Sequence, residues 1–275
     1  KAFVFHEQPT FHVVGGSTLL LVISGFNIAR FQSKKLFEGL FLQIIIRFCQ
    51  KIILPYYLIL IVYQLWKQQL DWNSLLLISN YYGRFGNFLE PFWFIEALLQ
   101  ILIIFTSLFA LPLFRKTMEK SPYFMGLALL SITVALRLSH LTDELQLGIR
   151  TADQLLCIYV FGWCLWFAKV PWQKYFITGL IFTLFPYLYG IYTSYTVWLI
   201  TGSLAILWQP KILVPPLLHK IITEIGSSTF HIYLVHIIPI YILVFIFHVT
   251  NKEILVLTAL LVGIMAHKIL ERIKF

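Results

Sequence analysis

The chain has 275 residues, of which 59% are hydrophobic and 12% charged, against about a quarter charged in an average soluble domain. So much apolar surface excludes an ordinary water-soluble fold and points to a chain that sits in a bilayer. The net charge of +9 does not indicate nucleic acid, because the basic residues fall in short clusters between apolar runs and form no continuous stripe. The 25 Phe, 14 Tyr and 8 Trp suit helices with apolar lipid faces and ends among headgroups. Cys49, Cys157 and Cys164 lie within apolar runs with neither CxxC nor Cys/His ligand spacing, so they read as packing residues and no metal site is expected.

In chain order, 1–15 reads as the external end of a first helix whose earlier part is missing, with the loop after it. Lys1 stands where an initiator Met is expected, and Ala2 to Phe5 is already apolar. Spanning runs follow at about 16–30, 52–67, 92–111, 122–139, 153–169, 174–189, 192–208, 229–249 and 253–269. The mixed segments 34–50 and 210–225 read as amphipathic interfacial helices. The expected fold is all-α: a polytopic transmembrane bundle of about nine spans here, about ten if intact, with 1–275 as one membrane domain. Alternating from a cytoplasmic 34–50 puts fifteen of the 21 basic residues on one side, Arg30, Lys34, Lys35, Arg47 and Lys51 among them. This makes a multi-pass protein of the cell membrane with a cytoplasmic C-terminus. The longest external segment, 68–91, is too short for a domain, and no Walker-type or GxGxxG loop indicates a nucleotide-driven pump.

Ionisable groups inside spans are costly and mark function by default. His6 lies near the external end of the first helix, with His12 beyond it. A histidine there can take a proton from an attacking hydroxyl, or simply sit hydrated at the interface. Glu96 lies one turn into a helix and shares a face with Trp93 and Gln100; it can orient a histidine, bind an acceptor hydroxyl, or pair with Arg137 as structural glue. Arg137 and His140 are one turn apart at an external helix end, where Arg137 either contacts substrate or snorkels outward. Tyr233 and His236 share a face three residues apart, whereas His231 and His236, five apart, lack the spacing of a zinc helix.

The run Leu21-Val22-Ile23-Ser24-Gly25-Phe26-Asn27-Ile28-Ala29 resembles a signature of membrane acyltransferase family three, in which a Phe- and Leu-rich helix ends in Ser-Gly-Phe. In the family's order there follow a basic element at Arg47, Lys51, Pro55 and Tyr57, a Trp…Glu helix at Trp93 and Glu96, and a late helix Ser227 to His236 similar to Ser-x-x-x-(Tyr/His)-x-Tyr-Leu-x-His. The family's Trp…Glu spacing is often longer, and the Arg that precedes its first-helix His is missing here. By order, His6 matches that His, with His12 as the alternative.

The resemblance implies about ten helices and an enzyme that moves an acyl group, commonly acetyl, from cytoplasmic acyl-CoA to a hydroxyl of an envelope glycan. Acyl-CoA is then a co-substrate, with no permanently bound cofactor. His6 is the implied base, with Glu96 beside it in the catalytic set. Arg30, Arg47 and Lys51 are candidates for the phosphates of coenzyme A, although the positive-inside rule accounts for them equally. Ser24 and Asn27 share a face that can line an acyl passage, while Ser-Gly is equally a close-packing device. Trp93, Arg137, Tyr233 and His236 complete the expected substrate contacts. Membrane lipid and the glycan acceptor are the other partners. The reading from another class is a non-enzymatic transporter or flippase of a lipid-linked glycan, with Glu96 and Arg137 as its intramembrane charges.

Overall fold

A computed structural model describes residues 16–68, 70–82, 93–139, 151–210 and 213–272. Among them all regular structure is helical, in α1 (Gly16–Phe37), α2 (Phe41–Phe48), α3 (Leu54–Lys67), α4 (Trp72–Leu75), α5 (Ser79–Tyr82), α6 (Trp93–Ser107), α7 (Pro112–Lys120), α8 (Pro122–Leu138), α9 (Ala152–Phe167), α10 (Pro171–Tyr189), α11 (Ser194–Trp208), α12 (Pro216–Val235), α13 (Ile237–Phe245) and α14 (Lys252–Arg272). Proline opens α7, α8, α10 and α12, where its missing N–H has no intrahelical partner to lose. Gly39, at φ 83°, ends α1. Its N–H reaches the Leu36 carbonyl and the Leu40 N–H the Lys35 carbonyl, the paired bonds of a left-handed helix stop.

That stop alters the reading of 34–50 as a separate interfacial helix. Residues 34–37 finish α1, and the helix beginning at Phe41 continues through a π-helical turn, Cys49–Ile53, into α3. The 210–225 segment is likewise not separate, because α12 runs unbroken from Pro216 to Val235. The break comes at His236 instead, where α12 and α13 meet at 55°. Pro239 accounts for its place, since it has no N–H for the carbonyl four residues earlier, that of Val235, and its ring crowds that carbonyl, which kinks or breaks a helix.

Phe41–Leu65 and Trp93–Ala110 are each long and apolar enough to cross a bilayer, and the bent α12–α13 pair is a third if it counts as one span. Fewer spans qualify this way than the nine apolar runs. The apolar helices α8, α9 and α11 have 17, 16 and 15 residues, roughly 22–26 Å of rise against a hydrocarbon core of about 30 Å.

The described residues pack as two units, 16–48, 80–82, 93–139 and 151–210 in one, 49–68, 70–79 and 213–272 in the other. In the first, α9 is the hub: it packs on α1, α6, α8 and α11 and is buried on every face from Ala152 to Leu165. A helix apolar all round belongs in such a place. Gly25 of α1 and Gly162 of α9 let the two backbones touch. A Cβ on Gly25 would fall on the Tyr159 carbonyl, and one on Gly162 on the Val22 carbonyl. Cys157 and Cys164 are buried in this core as free thiols. Trp163 stacks with Phe105, Phe109 and Phe167, and its ring N–H donates to the Pro122 carbonyl at 3.2 Å.

In the second unit α12 packs against α14, with Gly263 against Ile232 and the His231 and His267 rings 4.8 Å apart. Lys268 bridges back to Glu224 at 3.0 Å. Asp71 caps α4, accepting from the Asn73 N–H and the Ser74 hydroxyl.

Candidate functional site

The polar centre of the first unit begins on α6. Helical spacing places Glu96 and Gln100 on one face, and that face meets α5. Glu96 is 0% exposed and accepts the Asn80 backbone N–H at 3.0 Å. The Asn80 and Gln100 side-chain amides pair reciprocally, at 2.9 and 3.0 Å. A carboxylate in a water-poor interior is tolerable only with such donors around it. Trp93, one turn before Glu96, is half-buried with its ring edge-on to Phe94.

The next residue of α5, Tyr81, extends this centre to the start of α9. Burial, then the Asp153 carboxylate, pushes the Tyr81 hydroxyl up, partly offset by the Ala152 backbone. Thr151 Oγ1 and Asp153 Oδ1 are buried here without a hydrogen-bond partner. This end of the unit therefore combines an enclosed carboxylate with unmet hydrogen-bonding capacity. Asn80 had carried no role in the sequence reading. Its signal was weak, an Asn after a short apolar stretch in an external segment.

Arg137 is 8% exposed and does not snorkel. It turns inward, donating to the carbonyls of Gln154 at 2.9 Å and Leu188 at 3.3 Å and to the Tyr189 hydroxyl at 3.0 Å, with the guanidinium 4.5 Å from the Tyr189 ring centre. These bonds tie α8 to α9 and α10, and Glu96 is not among the partners. Ser24 returns its hydroxyl to the Leu20 carbonyl of its own helix, and Asn27 is exposed. The close approach at Gly25 gives the Ser-Gly pair a packing role in any case.

Arg30, midway along α1, lines a cavity, whereas Arg47 is exposed on α2 and is not part of that lining. Lys51 is exposed on the π-helical turn of the second unit. In that unit the tyrosines of the basic element act as tethers: Tyr56 donates to the Ser74 carbonyl at 3.2 Å and Tyr57 to that of Leu75 at 2.6 Å. Tyr233 and His236 meet at the α12–α13 bend, rings 5.6 Å apart, with His236 Nδ1 on the Tyr233 carbonyl. That bond leaves Nε2 as the nitrogen able to accept a proton. His6 and His12, the candidate bases, lie outside the described residues. Among the described residues no group of three or more His, Cys, Asp or Glu side chains could hold a metal ion.

No protein-family model, no curated protein and no solved structure matches the chain.

Proposed function

We propose that the chain is an integral-membrane O-acyltransferase. It would cross the bilayer about nine times and move an acyl group, commonly acetyl, from cytoplasmic acyl-CoA to a hydroxyl of an envelope polysaccharide or lipid-linked sugar. The observation that carries this reading is the enclosed Glu96 carboxylate, held by Asn80 beside the unpartnered Thr151 and Asp153 oxygens on one of the resembling motifs. In this scheme His6 takes the proton of the acceptor hydroxyl, whose oxygen attacks the thioester carbonyl. The carbon–sulfur bond then breaks, coenzyme A leaves as a thiolate, and it takes up a proton. Glu96 positions the acceptor or the histidine. The transporter reading leaned on Glu96 and Arg137 as intramembrane charges, but Arg137 is already committed to two carbonyls and a tyrosine.

Acyl transfer from labelled acetyl-CoA to envelope glycans in membranes carrying the full-length protein tests the proposal. His6→Ala and Glu96→Gln are each expected to lower the rate by about 10²-fold or more, the usual contribution of a positioned acid–base group. Undiminished transfer in both variants would remove the proposed centre, and glycans with the same acylation with and without the protein would remove the activity.

A further inference from the structure

The opposite end of α9 borders a cavity of about 340 Å³ where the ends of α9 and α11 and the start of α10 meet the middle of α1. Its walls include three cations, Arg30 from α1, Lys169 from the α9–α10 connection and Lys174 from the first turn of α10. Its apolar floor is Phe26, Leu165 and Leu207. Among the described residues no carboxylate lines it, and none pairs with any of the three cations.

Aromatic rings hold these cations in place of counter-ions. Lys169 Nζ sits 3.3 Å from the centre of the Trp166 ring, the Arg30 guanidinium approaches the same ring at 5.6 Å, and Lys174 Nζ lies 5.5 Å from the Trp208 ring. The rings are themselves fixed: Trp166 packs edge-on against Phe26 and the Trp208 N–H donates to Thr178 at 3.2 Å. Gln173 anchors the connection by accepting the Lys169 and Val170 N–H groups. The three cations share one cavity and repel one another across it.

A basic residue near a helix C-terminus has a local rationale in the helix dipole, and a cytoplasmic one in membrane topology. The dipole accounts for neither Arg30, midway along α1, nor Lys174, at the start of α10. Neither rationale turns three cations into one concave site with an apolar floor and no counter-charge among the described residues.

We propose that this cavity binds the phosphate of an amphipathic ligand, held by Arg30, Lys169 and Lys174 with its apolar part against Phe26, Leu165 and Leu207. A guanidinium and two ammonium groups supply the charge-assisted donors that phosphate oxygens take, and the volume suits a headgroup-sized ligand. The site stands whether or not the chain transfers acyl groups. Two sources carry this chemistry, an anionic phospholipid and a water-soluble phosphorylated compound such as coenzyme A.

Two measurements on the full chain distinguish them. Equilibrium binding of coenzyme A is measured in neutral detergent without lipid. Retention of phosphatidylglycerol against phosphatidylcholine is measured by native mass spectrometry. At least one probe is expected to bind, to be displaced by pyrophosphate and weakened by salt, and to lose about tenfold or more of its affinity in the double variant Lys169→Gln/Lys174→Gln. Lys169→Arg/Lys174→Arg is expected to keep it. Coenzyme A binding assigns a soluble phosphate, and phosphatidylglycerol retention alone assigns a lipid. Binding of neither probe overturns the proposal, as does binding that the double Gln variant leaves unchanged. Should that variant fail to fold, the wild type decides: a probe indifferent to both pyrophosphate and salt overturns the site. None of these readouts involves acyl transfer.

Discussion

Gly25→Ala is expected to cost the first unit more than about 4 kcal/mol, enough that the purified chain elutes as aggregate or melts far below wild type. The added methyl would land on the Tyr159 carbonyl, and backbone cannot swing aside as a side chain does. Separating α1 from α9 to admit it would open the largest helix–helix contact of the unit. Gly162→Ala is expected to do the same from the other side, against the Val22 carbonyl. The control is Gly179→Ala in α10, where a Cβ meets nothing within 4 Å and the better helix former replaces the poorer. Thermal unfolding followed by size-exclusion fluorescence separates the cases. A Gly25→Ala chain that melts with wild type would mean that α1 and α9 do not cross at these glycines.

Arg137→Leu is expected to cost about 3 kcal/mol, because buried acceptors left without a donor cost about 1–3 kcal/mol each. The change takes the Arg137 donor from the Leu188 carbonyl and the Tyr189 hydroxyl, and leaves the Gln154 carbonyl with the Cys157 thiol. Arg137→Lys should recover little, because one ammonium on a shorter reach cannot reproduce a planar fork aimed at three acceptors. If Arg137 instead served a substrate, Arg137→Leu would spare the melting temperature and change only turnover, so measuring both in the same preparation distinguishes the roles.

The cluster around Glu96 was half legible. That Glu96 and Gln100 share a face follows from helical spacing, which is local, and the structure keeps it. That both reach Asn80 depends on α5 returning to α6 across sixteen and twenty residues of chain, which no short-range pattern encodes. Arg137 misled for the same reason. Its position at a helix end reads as snorkelling, yet its acceptors lie 17 and 51 or 52 residues further on. Lys169 and Lys174 read only as sidedness markers, because their shared cavity with Arg30 exists only once α1 lies beside α9.

By itself the sequence determined that this chain is helical and apolar enough to meet a bilayer. Those features rest on hydrogen bonds four residues apart and on the composition of each run, so they need no partner. Which helix is central, which charges are spent on structure and where cations gather were decided only by the tertiary structure. Helices apolar on all sides carry no stripe to name their neighbours, and the choice falls to where two backbones can approach. Here that place is Gly25 against the Tyr159 carbonyl and Gly162 against that of Val22, and the cationic cavity lies where α1 passes the end of α9.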